Sequence, residues 1–184
     1  MVMRIALPGQ ATAAATPEVP LEMLSACHGR VQTQCETLQR LCDHLPQHGA
    51  DSAAVQAAEA VLRYFRQAAP HHHADEEADL FPALLDATSG AEHADVRRLT
   101  RTLVQDHRAL EDLWRRLEGE LERVRAGDAA ALARGTVEGF VAAYTQHIER
   151  EETELLPLAA RLLDATALGR VGAAMRERRG IAAP

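Results

Sequence analysis

The chain has 184 residues, a net charge of −7 and only 3% aromatic side chains. That is enough for one domain with a sizeable core and short for two. Acids and arginines are interspersed, no lysine occurs, and no apolar run reaches membrane-spanning length, so neither nucleic acid nor a bilayer is expected as the main partner.

Alanine, leucine, arginine and glutamate dominate the composition, and all are strong helix formers, so an all-α domain is expected. Residues 1–20 read as a loose N-terminal arm, because the apolar run before Pro8 is too short for a secretory signal. Cys27, Cys35 and Cys42 are odd in number and form no C-x-x-C pair, which suits reduced thiols in a cytoplasmic setting.

The first helix is expected from about Leu21 to Leu45, where PQHGAD ends it. Leu24, His28, Val31, Cys35, Leu38, Cys42 and Leu45 recur in steps of four and three, the mark of a bundle seam. The second is expected to start after Asp51 or Ser52 and to run to about Leu85, with Leu62, Phe65, Ala69, His72 and Glu76 on one face. Pro70 is expected to kink it one turn before the histidines. After DATSG, the third helix spans about Ala94 to Ala126, with a seam of Leu103, His107, Leu110, Trp114, Leu117, Leu121 and Val124. Gly127 stops it. The fourth is expected from about Ala129 to Leu163, carrying Val137, Phe140, Tyr144, His147 and Glu151. A shorter helix from about Ala167 to Arg178 lies across one end. Four long helices joined by short breaks predict an antiparallel up-down four-helix bundle over 21–164, followed by a C-terminal helix and tail over 165–184.

The second and fourth helices are copies of each other. FRQAAPHHHADEEADLFP and FVAAYTQHIEREETELLP align without a gap, as Phe-x6-His-x3-Glu-Glu-x2-Leu-(Phe/Leu)-Pro. This alignment pairs His147 with His72, leaving His71 and His73 about 100° to either side and solvated. A rival register pairs His73 with Glu77, which are also four apart.

Residues i and i+4 stand one above the other on a helix, so His72 with Glu76 and His147 with Glu151 each present an imidazole and a carboxylate inward. His28 and His107 add one seam histidine from each of the other two helices. A lone seam histidine is more often a hydrogen-bonded core residue than a ligand. Four at one level, with two buried carboxylates, would cost several kcal/mol per ion unless a divalent metal compensates them. Imidazole suits iron, copper and zinc, while carboxylates that can bridge favour a dinuclear iron or manganese pair. A structural zinc usually takes a closed four-ligand shell rich in cysteine, and these cysteines supply none. No histidine here follows a glutamate by three residues, which excludes the Glu-x-x-His pattern of ferritin-like proteins.

These residues resemble the hemerythrin-like, or HHE cation-binding, family. The likeness covers about residues 21–164 and rests on His28, His72-x3-Glu76, His107 and His147-x3-Glu151, together with the EEADLFP and EETELLP endings. It implies a four-helix bundle holding a non-haem di-iron centre bridged by the two glutamates, with zinc or manganese as substitutes. The ligand implied is oxygen, peroxide or nitric oxide, and a homodimer is one expected assembly. The other reading is a structural or metal-storage bundle holding zinc or iron without redox turnover.

Two departures qualify the resemblance. Oxygen-carrying hemerythrins have His-x3-His on the third helix, whereas Glu111 stands four after His107 here. They also place the last carboxylate five residues after its histidine, where this chain has Glu152; the repeat favours Glu151. With four histidines and two bridging carboxylates the implied centre keeps roughly two coordination positions open, which favours reaction with oxygen over reversible carriage. Glu111 is a candidate extra ligand or supporting acid, and Tyr144 a candidate lining residue.

Overall fold

A computed structural model describes residues 19–181; most of the expected N-terminal arm lies outside them. The described residues are helical, with no strand among them. Helix α1 spans Pro20–His48. Proline suits the first turn, where an amide donor would have no partner within the helix. The helix runs one turn past the expected Leu45, because Pro46 in its last turn removes a single donor. It closes where Gly49, at φ +71°, donates to the Leu45 carbonyl at 2.9 Å.

Helix α2, Ser52–Asp75, is capped by the Asp51 carboxylate on the Ala54 amide at 2.9 Å and continues through Pro70. The departure from α geometry comes after the histidines. Glu76–Leu80 form a π-helical turn in which Phe81 N–H donates to the Glu76 carbonyl, before α3, Phe81–Asp86. Pro82 supplies a cause, since it has no N–H for the carbonyl four residues back and its ring crowds that carbonyl.

Helix α4 begins at Gly90, four residues before the expected Ala94, and runs to Arg125; Gly127, at φ +100°, follows its end. Asp128 does not cap the next helix. Its carboxylate accepts from Ala130 N–H and from Arg123, making a turn. Helix α5, Arg134–Arg150, starts later because Glu120 of α4 serves its N-terminal end. That carboxylate accepts from Ala133 N–H at 2.9 Å and Thr136 Oγ1 at 2.8 Å. A second π turn, Glu151–Leu155, precedes α6, Leu156–Leu162, and Pro157 stands where Pro82 stands in the first copy. Helix α7, Ala165–Arg178, is capped by Asp164 on the Ala167 amide.

Helix α1 packs on α2 and α5, and α4 packs on the same two, so the four long elements close a ring. Helix α7 rests on α1, α2 and the first π turn. The interior holds two apolar clusters. Val31, Phe65, Ala69, Leu110, Phe140 and Tyr144 belong to one, and Leu24, Leu80, Leu103 and Leu155 to the other. Each seam passes from one cluster to the other, and the histidines and glutamates lie on it between them.

Candidate metal centre

His28, His72, His107 and His147 are each at most 4% exposed, and Glu76 and Glu151 are fully buried. The structure brings all six side chains together, each from the element and register expected. Glu151 is the hub. Its Oε2 lies 2.8 Å from His28 Nε2 and 3.8 Å from His72 Nε2, while its Oε1 lies 2.9 Å from His147 Nε2 and 3.8 Å from His107 Nε2. Glu76 repeats the division, with Oε1 at 3.6 Å from His72 Nε2 and Oε2 at 3.1 Å from His107 Nε2. Each carboxylate thus turns one oxygen to the His28–His72 pair and the other to the His107–His147 pair.

Close approach is not hydrogen bonding here. His28 Nε2, His107 Nε2, both ring nitrogens of His147 and all four carboxylate oxygens are buried with no hydrogen-bond partner. Buried polar atoms are rarely left so. Donor atoms about 2.1 Å from one ion stand about 3 Å apart when cis, close to the shorter separations here. The donors form two overlapping sets, His28, His72, Glu76, Glu151 and Glu76, His107, His147, Glu151, sharing both glutamates. Neutral imidazole and carboxylate donors of this number fit a pair of divalent ions.

The electrostatics agree. Burial disfavours the Glu151 carboxylate, but four imidazoles facing it hold its pKa well below the usual value. Glu76 goes the other way, raised by burial and by the charge of Glu151. Burial opposes protonation of His107, yet Glu151, Glu76 and Glu77 push it up to about 10. His72 is likewise raised against its burial by Glu76, Cys27 and Glu151. Both shifts have one cause: the two buried carboxylates favour positive charge on the groups that face them.

Glu77 and Glu152, the second member of each Glu-Glu pair, entered the sequence reading only as rival ligand positions, and the structure gives them another place. Glu77 Oε1 lies 2.7 Å from His107 Nδ1, and Glu152 Oε1 lies 2.6 Å from His28 Nδ1. Each copy of the repeat therefore steadies a histidine on a helix outside the repeat. Asp106, 3.8 Å from His147 Nδ1, is tied to Arg150. The duplicated Glu-Glu was the available signal, because a carboxylate one residue from an inward glutamate points to the adjoining helix.

His73 corrects an expectation. It is 8% exposed rather than solvated, its ring stacked on His107 with centroids 4.0 Å apart, while His71 is half-buried. Contact between α2 and α4 covers the side of α2 that the repeat left unassigned. Glu111 stays on the surface, accepting from Arg108, and is not among the converging donors. Tyr144 is buried, 6.4 Å from His147 by ring centroid, and packs on Phe65 and Phe140.

The model of the hemerythrin HHE cation-binding domain matches residues 19–159, which takes in every residue of this cluster. The chain belongs to the hemerythrin HHE cation-binding family. It is also 34% identical over 167 residues to an uncharacterised protein of Haemophilus influenzae, covering 91% of this chain and 94% of that protein. Membership makes the chain a hemerythrin-like cation-binding protein, and the His/Glu groups of the cluster are able to hold a metal. No helix of the described residues is long and apolar enough to cross a membrane.

Proposed function

We propose that this hemerythrin-like protein holds two iron ions through His28, His72, Glu76, His107, His147 and Glu151, and that the centre binds or reacts with oxygen, peroxide or nitric oxide. The observation that carries the reading is the division of each buried carboxylate between two histidine pairs, the arrangement two bridging carboxylates need. The scaffold we infer is an antiparallel up-down bundle. Along α1 and α4 the seam passes from the Leu24–Leu103 cluster to the Val31–Leu110 cluster; along α2–α3 and α5–α6 it passes the other way.

Bound iron would supply reversible one-electron chemistry and open positions for a small molecule. The chain's own contribution is orientation and exclusion. Glu77 and Glu152 hold the Nδ1 side of His107 and His28, which fixes the ring plane and leaves Nε2 directed at the centre. The two apolar clusters close the bundle on either side, limiting water and strengthening each electrostatic contact. Three buried free thiols support a reducing compartment.

The test is metal analysis of protein expressed with supplemented iron, read with its optical spectrum. Two ions per chain and a visible spectrum that responds to reductant and oxygen are expected. Zinc or manganese bound without such a response would favour a structural or storage role. Replacing His72 by Ala should lose iron while replacing His71 should not; equal loss would overturn the register of the site.

A further inference from the structure

Between α2 and α4 lies a cavity of about 370 Å³ whose walls are Phe65, Leu110, Trp114 and Tyr144. His73 lines it too, and its Nε2 is buried with no hydrogen-bond partner. A ring nitrogen of His73 lies within 4.8 Å of donor atoms of both His107 and His147, so distance alone would enrol it as a ligand. Ring geometry argues otherwise. The His73 and His107 rings are parallel to within 11° and stacked at 4.0 Å. A nitrogen lone pair lies in its ring plane, so two stacked parallel rings aim theirs side by side and do not converge on one ion.

We infer that the cavity is the entrance to the metal centre and that His73, unligated, is the hydrogen-bonding residue met there by a small uncharged ligand. This deepens the function proposed above and rests on it. The cavity favours an uncharged guest because its one cation is already engaged. Arg108 donates to Glu77 at 2.6 Å and to Glu111 at 2.8 Å, and apart from these and His73 the walls are aliphatic or aromatic. Of the lining side chains, His73 brings a ring nitrogen within 4.8 Å of donor atoms of both His107 and His147, whereas Glu77 holds His107 from its Nδ1 side. On this route a guest passes the Trp114 and Tyr144 walls and meets His73 before it reaches the donors.

The experiment uses the full-length, iron-loaded, reduced protein with nitric oxide as probe, reading iron per chain, association rate and dissociation rate. His73→Phe keeps the stack on His107 and removes both ring nitrogens; His73→Gln keeps a donor and guards against a folding failure in the first variant. Both should retain two irons per chain. His73→Phe should release nitric oxide roughly five- to tenfold faster, as loss of one hydrogen bond implies, with His73→Gln between it and the parent. Ala74→Phe, which narrows the cavity without touching a polar group, should slow association and leave iron content alone. Loss of an iron in His73→Phe and His73→Gln would make His73 a ligand and overturn the proposal. Unchanged dissociation in His73→Phe, or unchanged association in Ala74→Phe, would overturn the role of the residue or of the route. A parent protein that takes up no iron would instead sink the reading of the site itself, and this inference with it.

Discussion

At the centre of the molecule two adjacent glutamates do different jobs, twice. Glu76 and Glu151 face the donors, while Glu77 and Glu152, one residue on, reach His107 and His28. The outer pair should be replaceable at a graded cost. Glu77→Ala or Glu152→Ala should weaken iron binding roughly 10- to 100-fold while leaving two sites, measured by competition with a chelator. Glu151→Ala, which removes a carboxylate shared by both pairs, should abolish loading of both; retention of one full equivalent would show that it does not bridge. Away from the site, burial and the charge of Glu36 push the Cys35 thiol up to about 12. Thiolate is the reactive form, and at pH 8 a thiol with that pKa is ionised to about one part in ten thousand. Mass spectrometry after iodoacetamide treatment should therefore find Cys35 unmodified in the folded protein and modified once it is unfolded.

The two π turns are the elements that set the site. Each starts at a buried glutamate, Glu76 or Glu151, and ends before a Leu-Pro or Phe-Pro step, so proline's missing donor and bulky ring open the turn just where that carboxylate is placed. Pro82→Ala should let the turn tighten. One recovered hydrogen bond and the freer unfolded chain nearly offset each other, so the metal-free protein should keep its stability to within about 1 kcal/mol. Iron affinity should nevertheless fall, and chelator competition beside urea unfolding separates the two effects. Unaltered affinity would mean that the π turn is incidental to the site. Helix α7 is fastened to this same region. Asp75, fully buried beside Glu76, receives Arg178 and Arg179, and Arg178 also reaches Asp79 at 2.6 Å. Asp75→Asn weakens that fastening, and amides of 165–178 should exchange roughly tenfold faster or more, ahead of those in α1 and α4.

For the whole chain, the cost of the polar layer is what couples metal to stability. Two apolar clusters are separated by four imidazoles and two carboxylates, and the facing atoms of both carboxylates and of three imidazoles lack hydrogen bonds, so the metal-free fold carries a layer of poorly compensated buried polar groups. A ligand bound only by the native state stabilises it by mass action, about 4 kcal/mol at a thousand times the dissociation constant. Iron-loaded protein should thus unfold several degrees above the metal-free form in a thermal scan. Coincident melting curves would place the ligands outside the core.

The helical class, the seams and the six converging residues were legible in the sequence, because each depends on local periodicity. A residue four positions after another shares its face whatever the rest of the molecule does, and a gapless repeat carries that face from α2 to α5. Helix ends were less legible. The start of α5 depends on Glu120 from a neighbouring helix, and the extra turn of α1 on how one proline fits a final turn. Spacing placed His73, Glu77 and Glu152 on a flank but did not show what each meets there. They sit about 100° from the inward face, and only the neighbour packed against that flank decides whether such a side chain meets water, a ring or an imidazole nitrogen. Periodicity and the internal repeat together determined which residues point at the centre; the contact of α2 with α4, and of α1 with the turn after α5, decided which residues hold them there.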